Sequence, residues 1–158
     1  MKRTLVAAVF ALFASGVCAQ HSSSHGGHDP AVNETPFGRA APSGQAQRSV
    51  RVEMSDQMRF APAEVTVKRG EIVRFIPVNK GQIVHEMVLG TMRELKKHAA
   101  LMQKSPGKHE HEPYMTHVAP GASGEFAWQF TRPGEFYFAC LIPGHFEAGM
   151  IGKVTVRP

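Results

Sequence analysis

Seven short stretches of this chain alternate apolar with polar residues and are separated by turn residues: 50–54, 64–68, 72–78, 84–89, 124–130, 134–139 and 153–156. Side chains on a strand point alternately to opposite faces, so each stretch has one face to bury and needs a second layer to bury it against. Short β-branched and aromatic runs at this spacing predict an all-β chain folded as an antiparallel sandwich. Trp128 and the phenylalanines at 75, 126, 130, 136 and 138 are the bulky core candidates, some of which should point outward. One segment departs from the alternation. Thr91-Met-Arg-Glu94 has the form of a capping box, and Met92, Leu95, Ala99 and Met102 then recur at helical spacing until Ser105-Pro-Gly107. A single helical insertion is expected there.

The amino terminus is of another kind. A charged Met1-Lys-Arg-Thr, an apolar run over 5–13 and small residues over 14–19 follow the order of a secretory signal. The run is too short to span a bilayer. Val17 and Ala19 suit the positions before a cut, so residues 1–19 are read as a signal peptide, with export to the periplasm and a mature chain starting at Gln20. Lipidation of Cys18 is the alternative, weakened by Val17 standing where such signals carry Gly, Ala or Ser. Cleavage would leave Cys140 alone and no internal disulfide. A lone thiol in an oxidising compartment needs protection, and metal ligation supplies it. Losing Lys2 and Arg3 takes the formal charge from +5 to +3, 16 basic groups against 13 acidic ones, so no nucleic acid partner is called for, and no stable membrane insertion is expected. Residues 20–48 hold Ser, Gly, Pro, Ala and polar groups with few large apolar ones, and are expected to form a flexible, His-containing tail. Residues 49–158 then make one domain.

The chemistry concentrates late in the chain. Cys140, His145 and Met150 lie within Phe138-Ala-Cys-Leu-Ile-Pro-Gly-His-Phe-Glu-Ala-Gly-Met150, which strings a thiolate, an imidazole and a thioether along one loop. Two His nitrogens and a Cys sulfur with a weak axial Met suit a copper ion shuttling between Cu(I) and Cu(II). A second histidine is therefore required. His85 is the candidate, because residues 83–89 read as a strand that can bring an imidazole beside the loop without sequence proximity. Taken singly, Cys140 is a small buried hydrophobe, Met150 fills a core and His85 is a core histidine; their coincidence favours copper. A nucleophilic Cys–His pair is the sharper rival, but it explains neither Met150 nor the small size of the chain. Structural zinc has no use for a thioether.

An isolated strand His followed much later by Cys-x4-His-x4-Met, with Pro143-Gly144 turning the loop, resembles the cupredoxins, the single-domain type 1 copper proteins. The resemblance covers about Val50 to Pro158. It implies a Greek-key β-sandwich with one type 1 copper held by His85, Cys140, His145 and Met150, and a helix in a connection where such proteins carry variable insertions. It also implies a redox protein docking at the apolar rim of His145, formed by Leu141, Ile142, Pro143 and Phe146. The backbone N–H of Glu86 would donate to the Cys140 sulfur.

More donors are present than one copper needs. His21, His25 and His28 fall in the tail, and His109, His111, Met115 and His117 in what reads as one short loop after the helix. A solvated polar segment could look the same, but short His-rich tracts also bind metal, so these are candidate sites for extra copper ions. Together with His85-Glu-Met-Val-Leu-Gly90 they make the chain resemble the periplasmic copper-resistance cupredoxins of the CopI type. The resemblance implies copper tolerance; a diffusible electron carrier is the alternative. A monomer is expected, and not an enzyme, because nothing repeats the ligand motif as a multinuclear copper oxidase would need.

Overall fold

The computed structural model describes residues 34–105 and 112–158; the signal segment, His21, His25, His28, His109 and His111 lie outside the described residues. All seven alternating stretches are strands. In chain order the elements are β1 (Arg39–Ala40), β2 (Arg48–Ser55), β3 (Arg59–Ala61), β4 (Glu64–Lys68), β5 (Ile72–Asn79), β6 (His85–Gly90), α1 (Met92–Lys104), β7 (Met115–Val118), β8 (Phe126–Gln129), β9 (Gly134–Ala139) and β10 (Ile151–Arg157). They form two sheets, ordered β1-β8-β5-β2-β3 and β4-β10-β9-β6-β7. Most neighbours are antiparallel, while β2 with β5 and β4 with β10 run parallel, as a Greek-key sandwich whose strands cross between layers requires.

Val52, Met54, Phe75 and Trp128 from the first sheet meet Met87, Leu89, Phe138 and Val154 from the second in one continuous core. The six bulky aromatics are all buried, against the expectation that some would face outward. The reason is parity. Phe126, Trp128 and Phe130 are alternate residues, as are Phe136 and Phe138, so each set shares one face of its strand.

Two further expectations are corrected. The tail ends before residue 48: Phe37 is buried, stacks on Trp128 at 5.1 Å between ring centroids, and its carbonyl accepts the Trp128 indole N–H. Beside it Gly38, at φ 126°, approaches so closely that a Cβ would stand 2.0 Å from the Gln129 carbonyl oxygen. One aromatic anchor with an adjoining glycine is thus enough to pair β1 with β8 in a stretch of disordered composition. Second, Met115 and His117 do not lie in a loop; they belong to the edge strand β7, paired antiparallel with β6.

The helix stands where its capping box predicts. The Thr91 side chain accepts from the Glu94 N–H, and the Glu94 carboxylate accepts from the Thr91 N–H. Leu95, Ala99 and Met102 form its buried stripe. Leu95 and Ala99 of that stripe cover the outer face of the second sheet, making a smaller cluster with Val88, Met115, Ala139 and Leu141. Strand β6 is consequently buried on both faces.

Candidate metal centre

The four predicted ligands come from one strand and one loop. His85 opens β6, while Cys140 follows β9 and begins the connection to β10. Ile142, Pro143, Gly144 and His145 form a tight turn in which the His145 N–H donates to the Ile142 carbonyl at 3.0 Å. Gly144 sits at φ 90°, which a type II turn demands after proline. Two more backbone bonds close the loop: Met150 N–H to the His145 carbonyl at 3.0 Å, and Cys140 N–H to the Met150 carbonyl at 3.1 Å. Cys140, His145 and Met150 are thereby tied together through main chain alone.

The side chains converge. Donor atoms of His85, Cys140 and His145 all lie within 4.8 Å of one another, the one such group of His, Cys, Asp or Glu among the described residues. Cys140 Sγ is 3.2 Å from His145 Nδ1, and the two imidazole centroids are 5.0 Å apart. His85, Cys140 and Met150 are buried, while His145 is partly exposed. His85 Nδ1 is buried with no hydrogen-bond partner. A buried unpaired ring nitrogen costs about 1–3 kcal/mol, a cost that ligation would remove. This orphan nitrogen, on a ring grouped with a thiol and a second imidazole, fits copper.

The electrostatics agree. Burial, opposed by the N–H groups of Glu86 and Ile142, pushes the Cys140 thiol up from 9.0 to about 12. Burial and then the neighbouring His85 ring push His145 below its ordinary value. The metal-free site therefore holds a protonated thiol beside a neutral His145 imidazole, and a cation must displace the thiol proton to bind.

Around these donors stands a frame that sequence reasoning foresaw only in part. The Glu86 N–H donates to Cys140 Sγ at 3.4 Å, as the resemblance implied. The Glu86 side chain was not foreseen. It is buried, Oε1 accepts from the Leu141 N–H at 2.7 Å, and Oε2 lies 2.6 Å from His117 Nε2. Asn79 accepts from the Gly81 N–H and donates to the Ile83 and Val118 carbonyls, fixing the turn into His85. Asp56 Oδ1 is 3.0 Å from His85 Nε2, and Oδ2 accepts from the Gln82 N–H at 2.7 Å. The Gln82 bond, ahead of the His85 ring, holds the Asp56 carboxyl below its ordinary value. Arg59 donates to the Ala148 carbonyl at 3.0 Å, and Gln103 on α1 donates to Glu147 at 2.6 Å, so both hairpin and helix brace the ligand loop. Nothing in the sequence linked Asp56 or Arg59 to residues so distant.

Of the apolar rim, Pro143 is exposed, and Ile142 and Phe146 are half-buried. Leu141 is not part of the surface: it packs with Val88, Leu95 and Ala99 beneath the helix. Among the extra donors in the described residues, Met115 is buried and His117 faces Glu86. No helix of the described residues is long and apolar enough to cross a membrane.

Residues 46–157 match the family of copper binding proteins that comprises plastocyanin and azurin. The copper-resistant cuproprotein CopI of Rubrivivax gelatinosus is 54% identical over 96% of this chain and 93% of its own length. That of Pseudomonas aeruginosa is 34% identical, with 90% of each chain covered. Auracyanin B superposes with a TM-score of 0.65 at 22% identity, over 77% of this chain and 97% of its own. With its sandwich, its converging His, Cys and His donors and these relatives, the chain belongs to the plastocyanin/azurin family of copper-binding proteins, the cupredoxins, as a relative of the CopI cuproproteins.

Proposed function

We propose that the chain holds one redox-active type 1 copper through His85, Cys140, His145 and Met150, and serves copper tolerance in the periplasm rather than turning over a substrate. The observation that carries the reading is the unpartnered, buried Nδ1 of His85, a residue whose donor atom lies within 4.8 Å of those of Cys140 and His145. Bound copper would supply one-electron chemistry, passing between Cu(I) and Cu(II). The protein's part is to hold donors that barely need to move: main-chain bonds fix the loop, and Glu86 and Asp56 hold the Cys140 and His85 sides. The role in tolerance rests on the high identity to proteins named as copper-resistant cuproproteins.

A second reading, a diffusible electron carrier, is favoured by Pro143, Ile142 and Phe146 beside the partly exposed His145. A single titration of the chain beginning at Gln20 separates the two. Wild type should develop the intense thiolate-to-copper visible band at one equivalent, and Cys140→Ser should lack it; a wild type without the band refutes the type 1 site. Further copper binding after the colour is complete would assign metal to His21, His25, His28, His109, His111, Met115 or His117 and favour tolerance. Saturation at one equivalent favours the carrier. Deletion of the protein should raise copper sensitivity in the cell, and unchanged growth in excess copper counts against tolerance.

A further inference from the structure

Building on the type 1 copper reading, we infer that Asp56 is a positioning residue of the site: its carboxylate fixes the ring orientation and tautomer of His85 and biases the bound metal toward its oxidised state. Asp56 lies in the turn between β2 and β3, remote in sequence from His85, yet its Oδ1 is 3.0 Å from His85 Nε2. An ionised carboxylate can only accept, so the ring proton sits on Nε2 and the Nδ1 lone pair is left for the metal. That Nδ1 is the buried nitrogen with no protein partner. The two nitrogens of one ring are thus divided between a fixed anion and the site, the arrangement in which a second group orients a metal-ligating histidine and raises its basicity.

The carboxylate is itself held in place. Its other oxygen accepts from the Gln82 N–H at 2.7 Å. Its seat exists because residue 81 is glycine, since a Cβ there would stand 1.8 Å from Asp56 Oδ1. The turn therefore gives up a side chain at a position where even a Cβ would meet the carboxylate. A negative charge behind the imidazole makes it a stronger donor, and a stronger donor favours Cu(II) over Cu(I).

Three variants separate charge from placement. Asp56→Asn keeps an oxygen acceptor and loses the charge, Asp56→Ala loses both, and Gly81→Ala keeps the charge and displaces it. Loss of such a partner typically weakens metal binding about 10–100-fold. We therefore expect Asp56→Asn to keep the visible band but shift the Cu(II)/Cu(I) preference about tenfold toward Cu(I), an upward move in potential of about 59 mV for one electron. Asp56→Ala should move further and alter the band, and Gly81→Ala should move the same way. In copper-free protein, ring-nitrogen NMR shifts should show the Nε2–H form of His85 in wild type and a tautomer mixture in Asp56→Ala. Potentials of Asp56→Asn and Gly81→Ala equal to wild type, or an unchanged tautomer in Asp56→Ala, would overturn the assignment. A wild type with no visible band would defeat the copper reading alone, because the copper-free NMR comparison still decides what Asp56 does to His85.

Discussion

Copper uptake should expel one proton, and the burial of Cys140 sets the pH range over which it does so. The thiol's proton affinity climbs from an ordinary 9.0 to about 12 in the folded chain. At about 1.36 kcal/mol for each factor of ten, that is about 4 kcal/mol against the thiolate, which the metal must offset. His145 titrates below its ordinary 6.5 and so contributes no proton above neutrality. At pH 8 a buried and an exposed thiol would release nearly the same number, about 1.0 and 0.9 per copper. At pH 10 they diverge: a thiol with a pKa of 12 still releases about 1.0, and one of 9 only about 0.1. The assay is calorimetric titration from a copper–glycine complex in two buffers of different ionisation enthalpy, with Cys140→Ser subtracted. Release near 0.1 at pH 10 would refute the burial argument. The same group acts on the metal-free fold with a definite sign. An unfolded thiol gives up its proton near pH 9 while the folded one keeps it to about 12. Stability therefore falls as pH rises through that window, by up to about 1.4 kcal/mol per pH unit.

Replacing Glu86 with Ala strands the buried Leu141 N–H and should cost about 1–3 kcal/mol in urea unfolding, whereas Glu86→Gln keeps an acceptor and should cost less; equal losses would show that the Leu141 bond is not the reason for the residue. Gly152→Ala puts a Cβ 2.1 Å from the Phe138 ring, an overpacking expected to cost about 1–3 kcal/mol by the same measurement. Leu95→Ala should cost about 2–5 kcal/mol and speed amide exchange along β6, because it opens the lid over Val88 and Leu141; a loss confined to α1 would mean the helix is not part of the core.

What the sequence discloses is local, and what it hides depends on distance. Alternation announced seven strands because each is a repeated signal within one stretch. It missed β1 and β3, at two and three residues too brief for a period to show, and β7, whose four residues do not alternate in burial. The Thr91 to Glu94 box and the Pro143-Gly144 turn were legible because their chemistry is complete within a few residues. Cys140, His145 and Met150 could be grouped by spacing, but His85 needed the assumption of a neighbouring strand. Asp56 and Arg59 carried no signal, since their partners His85 and Ala148 are brought near only by the topology of the hairpin between β2 and β3. Glu86 was the instructive failure. A carboxylate in an alternating strand reads as solvent-facing, yet Glu86 is buried, on the face of β6 where its neighbour Val88 packs under Leu95 and Ala99 of α1.

That covering helix explains why the insertion belongs to the site. In a bare two-sheet sandwich the outer face of β6 would be wet, and a glutamate there would be an ordinary surface charge. Leu95 and Ala99 lie over Val88, Ala139 and Leu141, and the buried Glu86 carboxylate meets the Leu141 N–H and His117. Its backbone N–H meanwhile points through the sheet to Cys140 Sγ, so one residue grips the Cys140–Leu141 peptide from the side chain and the sulfur from the main chain. Gln103 adds a direct tie from the same helix to Glu147, whose other oxygen accepts from the Gly144 N–H inside the turn that carries His145. The helix therefore reaches the loop at two points, Leu141 and Glu147, next to Cys140 and within the turn of His145. A site whose donors are held this way before metal arrives spends little of the binding energy on ordering them.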